Sequence, residues 1–187
     1  MIYNEKTCCG PATSVFGGIR MKYRKSRIFN YPADVVTKIL LDTDQGYDMQ
    51  ELENVTAWKV IEEKDIDDRR VATKEWCAHS QIPKSLQHII SPKMLTWFEH
   101  SEWNRKTKTY SFVIVPHYLK KQVTCKGKTV FLQKGADKCD RTFEIELKVD
   151  IPIVGIILEN LVLNALKQNE EQDFLLSVKA IEKALKK

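Results

Sequence analysis

IPIVGIILENLVLNALKQNEEQDFLLSVKAIEKALKK, residues 151–187, decides how the rest of this chain is read. Pro152 stands where a strand finishes and a helix begins, Gly155 follows, and no further Gly or Pro interrupts the sequence. Apolar residues recur at helical spacing: Val154, Leu158, Leu161 and Ala165, then Phe174, Val178, Ile181 and Leu185. A helix of about thirty residues at ~1.5 Å rise is about 45 Å long. An average globular helix has ~10–14 residues, so this one must span whatever it packs on. The run Lys167-Gln-Asn-Glu-Glu-Gln-Asp173 interrupts the apolar stripe. It is expected to overhang the sheet edge in solvent; the alternative sets Gln168 or Gln172 at a polar cavity mouth.

Immediately upstream, Cys139–Ile151 has the cleanest period of two in the chain. Arg141, Phe143, Ile145, Leu147, Val149 and Ile151 share one face, and Thr142, Glu144, Glu146, Lys148 and Asp150 the other. One face is therefore buried and one wet, and this strand should set the register of its sheet. Further strands are expected at Arg20–Phe29, Val55–Glu63, Arg69–Ala78, Met94–Trp103, Thr109–Val115 and Gln122–Leu132. The acidic turn Lys64–Asp68 makes the second and third a hairpin. Tyr31-Pro32-Ala33-Asp34 opens a short helix, with Pro32 at its first position and Asp34 favoured by the dipole. Asp48–Asn54 adds a second helical turn, and Pro83 and Pro92 bracket another. Short turns between consecutive strands imply an antiparallel meander. The result is the α+β class: a curved antiparallel sheet of six to seven strands, short helices after the first strand, and a long C-terminal helix.

At 187 residues the chain fits one domain with a sizeable core. Residues 1–19 lack sustained periodicity and read as a flexible extension, leaving 20–187 as the domain. Cys8-Cys9 has no nearby Cys or His to make a metal site. A net charge of +5 permits weak attraction to an anionic membrane without requiring it. The basic first strand lacks the interleaved aromatics of a nucleic-acid surface and reads as a solvated edge; no nucleic-acid partner is expected. Five irregularly spaced cysteines fit a reducing compartment. With no apolar run of ~20 residues and no basic-then-apolar start, the cytoplasm is the expected location.

No catalytic or cofactor fingerprint is present. Asp42 and Asp44 alternate as in calcium loops, but the other ligands are missing. Cys77 and His79 share a strand face, yet no CxxC supports zinc. No metal, cofactor or catalytic residue is assigned. Glu75 and Glu99 interrupt apolar strands. Were both to face inward they would suit general acid and base work, with an arginine such as Arg27 paired to one of them. Trp58, Trp76, Trp97 and Trp103 lie on strands as candidate walls, with core packing as their ordinary role.

The element order resembles the helix-grip fold of the START-related and birch-pollen-allergen superfamily, also called SRPBCC. Two stretches carry the likeness: Tyr31-Pro-Ala-Asp-Val-Val36 after the first strand, and Val149-Asp-Ile-Pro-Ile-Val-Gly155 before the helix with Glu159. The second is similar to an uncharacterised, mainly bacterial branch. The mitochondrial phosphatidic-acid transfer family is a more distant likeness, through Ile82-Pro83 and the aromatic strand around Trp97. The resemblance covers Met21–Lys187 and implies a hydrophobic pocket holding a lipid, sterol or polyketide. It transfers no catalytic residue.

A bent sheet and a straight helix cannot touch along their full lengths, so side chains or a guest fill the gap. The expected ligand-binding residues are Trp97, Phe112, Ile114, Phe143, Ile145 and Leu147 on the sheet, and Leu158, Leu161, Val162 and Ala165 on the helix. Binding or transport of a hydrophobic molecule, a lipid first, is the leading expectation. A cyclase- or hydrolase-like enzyme using Glu75, Glu99 or a histidine in the same cavity is the alternative. A third reading docks the basic first strand and Lys179, Lys183, Lys186 and Lys187 on an anionic membrane or partner.

Overall fold

A computed structural model describes residues 20–43, 46, 49–53, 55–78, 91, 94–151 and 155–186. The expected extension 1–19, the turn between Pro83 and Pro92, Asp44, His79, His88, and Pro152 with Val154 lie outside the described residues. Within them the chain runs β1 (Arg20–Phe29), α1 (Ala33–Thr37), β2 (Val55–Ile66), β3 (Arg69–Ala78), β4 (Thr96–Asn104), β5 (Thr109–Pro116), β6 (Val123–Lys134), β7 (Lys138–Val149) and α2 (Gly155–Leu185). A wide π-type turn over Lys38–Asp42 extends α1, and a short 3-10 turn spans Met49–Glu51.

The strands form one curved, open, fully antiparallel sheet in the order β1-β7-β6-β5-β4-β3-β2. The chain therefore closes by bringing its first strand beside its last. β7 pairs along its length with both β1 and β6, which is where the cleanest alternation belongs. Its Cys139, Arg141, Ile145, Leu147 and Val149 are buried. On the other face Glu144 meets Arg24 and Lys128, and Glu146 meets Lys22 and Lys126. The basic strand β1 is an edge, and its Lys22 and Arg24 are balanced by β7.

Most strands shift by one or two residues from their expected limits, and β2 differs by more. β2 continues through Lys64–Ile66, and the hairpin turn shrinks to Asp67–Asp68, with Asp67 at φ 52°. Asp tolerates that left-handed backbone. The polar residues taken for a turn are held in the ladder by charge: Arg70 lies near Glu63 and Asp65, and Arg105 reaches Asp65. β2 is also an edge strand, and its Val60, Ile61 and Ile66 are exposed. Pro32 caps α1 rather than occupying its first turn; its carbonyl accepts from the Val36 N–H.

The β7–α2 junction is pinned by backbone. The Val149 N–H donates to Glu159 Oε1 at 3.0 Å, and the Glu159 side chain is buried. The Gly155 N–H donates to the Ile151 carbonyl at 2.9 Å. A Cβ on Gly155 would sit 2.7 Å from the Val149 carbonyl oxygen, so only glycine lets the helix start this close to the strand.

From there α2 crosses β7 and β1 and reaches the turn after α1. Leu158, Val162 and Leu166 pack with Cys125, Ile145, Leu147 and Val149. Phe174, Val178, Ile181 and Ala184 pack with Phe29, Val36, Trp103, Phe131 and Cys139. Between these two cores the stripe position belongs to Glu170, which is 7% exposed. Its carboxylate accepts from Arg27 Nε at 3.1 Å and Nη2 at 3.0 Å. Arg141, 6% exposed, lies 3.6 Å from Glu170 and donates to Asp173 at 2.5 Å. Glu171 also pairs with Arg27. The polar run thus does not overhang the sheet. It is an ion-pair clamp, and the spacing from Leu166 through Glu170 to Phe174 is the same four residues as in the apolar stripe.

Candidate functional site

The inner face of the sheet can be read from the register. Leu147 lies opposite Cys125, Cys125 opposite Ile114, Ile114 opposite Glu99, and Glu99 opposite Lys74. One rung away Trp97 pairs with Trp76, and Trp76 with Trp58. In the other direction Ser101 lies opposite Phe112, and Phe112 opposite Gly127. All these side chains share the face that carries Ile145 and Leu147 against α2.

This face has two textures. Under the helix, Ile145 and Leu147 are each 3% exposed, and Leu158 is buried against them. Across β5, β4 and β3, further from α2, Phe112, Ile114, Trp97, Glu99 and Lys74 are half-buried. Phe112 stacks on Phe143 at 6.1 Å between centroids, and Phe143 meets Tyr23 edge-on at 6.3 Å. The Phe112 ring sits over Gly127: a Cβ there would lie 2.4 Å from Phe112 Cζ. Small residues and planar rings thus share the half-buried β3–β5 part of the inner face.

Polar groups converge in it. The Tyr110 hydroxyl donates to Glu99 Oε1 at 2.5 Å, and the Lys74 ammonium lies 5.7 Å from the Tyr110 ring centroid. Burial, reinforced by the Glu99 charge, holds the Tyr110 hydroxyl well above the usual phenol range. The same two causes push the Cys125 thiol up to about 12, so it stays protonated and serves as a small apolar wall.

Of the expected lining residues, Phe112, Ile114, Phe143, Ile145, Leu147, Leu158 and Val162 come together in one apolar cluster. Trp97 stands on the same face, parallel to Trp76 at 6.4 Å. Leu161 and Ala165 are half-buried, and Leu166 joins that cluster instead. Four-residue spacing carries the contact from Leu158 through Val162 to Leu166, where a three-residue step had pointed to Leu161.

Glu75 and Glu99 stand on opposite faces, because Glu99 pairs with Lys74 while Glu75 pairs with Phe98. Glu75 lies outside, 3.3 Å from His117 Nε2. Arg27 is engaged by α2 and meets neither. Sequence reasoning missed Tyr110, Lys74 and Ser101; strand parity would have found them only after Glu99 was known to face inward. Among the described residues no cluster of three metal-ligating side chains occurs.

A groove of about 1000 Å³ lies on the opposite, outer face, between Glu62 and Lys64 on one side and Lys126, Lys128 and Glu144 on the other. Exposed ion pairs rim it and Ile66, Val71 and Val113 line part of it, but it lies on the face turned away from α2. The candidate site is therefore the inner face.

The chain belongs to the family described as Protein of unknown function (DUF2505), whose model matches residues 25–176. No curated protein matches the sequence. Among solved structures it is similar to TTHA0849 from Thermus thermophilus, at 19% identity and a TM-score of 0.63, over 88% of this chain and 99% of that one. The Zhui aromatase/cyclase from Streptomyces sp. R1128 follows at 12% identity and 0.62, over 89% and 96%. Norcoclaurine synthase from Thalictrum flavum stands at 13% identity and 0.58, over 99% and 96%. At such identities these likenesses establish the fold alone, a helix grip.

Proposed function

We propose that the protein binds a hydrophobic small molecule, a lipid in the first instance, in the cleft between α2 and the inner face of β3–β5. One observation carries the reading. Phe112, Ile114, Phe143 and Trp97 keep part of their apolar surface uncovered beside a fully packed core. Apolar surface left facing a concavity favours a guest, and Leu161 and Ala165 border it from the helix. One structure of similar fold, a norcoclaurine synthase, holds dopamine and hydroxybenzaldehyde. The free thiols of Cys77, Cys125 and Cys139 support a reducing compartment. Among the described residues no helix is long and apolar enough to cross a membrane.

Gently purified full-length protein should carry an apolar adduct in native mass spectrometry, and Phe112→Glu should lose it while retaining its circular dichroism. A bare wild-type protein that also fails to take up a fluorescent fatty acid would defeat the proposal. The convergence of Glu99 and Tyr110 favours a second reading, acid–base chemistry on the guest. Wild type and Glu99→Gln would then yield guests of different mass; guests of identical mass would exclude it.

A further inference from the structure

The tryptophan ladder tells what kind of guest the cleft accepts, an inference that rests on the binding role just proposed. Trp58, Trp76 and Trp97 are direct cross-strand neighbours, with centroids 6.0 Å and 6.4 Å apart. The indole N–H groups of Trp76 and Trp97 are both buried and have no acceptor among the described residues. Indole nitrogen is a donor only. The Trp76 and Trp97 planes lie within 11° of parallel, so neither in-plane N–H points at the face of the other ring. Buried donors left unmet disfavour the folded state, and native structures keep few of them.

Trp103 provides the internal contrast. It lies on the same strand and the same face, and its N–H donates to Asp42 Oδ1 at 3.0 Å. The packed end of the face therefore supplies its tryptophan with an acceptor, while the cleft end withholds one from two. The nearest carboxylate on that face, Glu99, already accepts from Tyr110. Lys74, beside Trp76, adds another donor and makes no ion pair among the described residues. This corner is rich in donors and poor in acceptors.

We propose that the guest is an apolar molecule bearing a carbonyl-type oxygen, as a ketone, ester or carboxylic acid, and that this oxygen accepts from the Trp76 and Trp97 indoles. The hydrocarbon part then lies along Ile114 and Phe112.

The test uses the full chain with nitrogen-15-labelled tryptophan, whose four indole signals are assigned by single Trp→Phe variants. It is titrated with a long-chain methyl ketone and with the alkane of equal length. The ketone should move the Trp76 and Trp97 indole protons downfield and leave Trp103 in place; the alkane should not shift them downfield. Trp76→Phe and Trp97→Phe should each weaken ketone binding by about 2- to 13-fold more than they weaken alkane binding, the worth of one hydrogen bond. Ketone binding that shifts neither indole and tolerates both variants would overturn the carbonyl assignment while leaving an apolar binder. Failure of both probes to bind wild type would remove the binding role itself, and this inference with it.

Discussion

Beneath α2 the inner face of β7 is sealed, with Ile145 and Leu147 each 3% exposed, while on β3–β5 the same face keeps Phe112, Ile114 and Trp97 half-exposed. Both halves obey the same alternation, and both point apolar side chains inward. What differs is the lateral position of the helix. α2 is tied to β7 at its start by Gly155 and Glu159, and to β1 and β7 at its middle by Glu170 and Asp173. A rod held to one side of a bowl turns that side into core and leaves the other only partly covered. The Trp103 indole finds Asp42 on the packed side, whereas buried Trp76 and half-buried Trp97 find no acceptor among the described residues.

The largest way to break this contrast is to release the rod. Glu170→Ala leaves Arg141 and Arg27 short of their shared partner inside the structure, and loss of one member of a buried pair costs about 3–5 kcal/mol. Chemical denaturation should show that loss; a change below about 1 kcal/mol would mean that apolar packing alone positions α2.

Alkaline titration probes the seam between the halves. Burial raises the thiols of Cys125 and Cys139, from an ordinary 9.0 to about 12 and about 11, and raises the Tyr110 hydroxyl. The folded state holds these protons more tightly than the unfolded chain does. Their stabilisation is thus complete below pH 9 and is lost as pH rises through 11 and 12. The urea midpoint should stay level up to about pH 9 and then fall, and Cys125→Ala should flatten part of the slope. An unchanged slope in that variant would place Cys125 in contact with water.

Gly127→Ala sharpens the open half by moving one of its walls. The new methyl meets the Phe112 ring and the Glu144 carbonyl, and overpacking of this kind costs about 1–3 kcal/mol. The altered ring position should appear in the aromatic proton spectrum. The smallest effect belongs to the outer face. Lys22→Ala removes an exposed pair with Glu146, and denaturation should register less than about 1 kcal/mol.

Much of this arrangement could be read along the chain. The period of two in β7 announced one buried and one wet face, and the uninterrupted run after Gly155 announced a single long helix packed on the sheet. Errors arose where charge imitates solvent. Lys64–Asp68 looked like a turn because it is acidic, yet cross-strand ion pairs keep Lys64–Ile66 in the ladder. Lys167–Asp173 looked like an overhang because it breaks the apolar stripe, yet Glu170 occupies that stripe and meets two arginines from remote strands. Composition cannot distinguish a solvated charge from a buried, paired one, since the partner is distant in the chain.

The candidate site was legible in the same uneven way. Phe112, Ile114, Phe143, Ile145 and Leu147 follow from alternation, which fixes which residues share a face. Alternation does not say which way that face points in a neighbouring strand, so Glu75 and Glu99 could be assigned only once the register placed Lys74 opposite Glu99. The sequence by itself determined the elements, their order and the faces within each, because these follow from local periodicity. Where the helix rests across the sheet, and therefore which apolar residues become core and which stay half-exposed, was decided by tertiary contacts. Those contacts join residues far apart in the chain, and no local pattern encodes them.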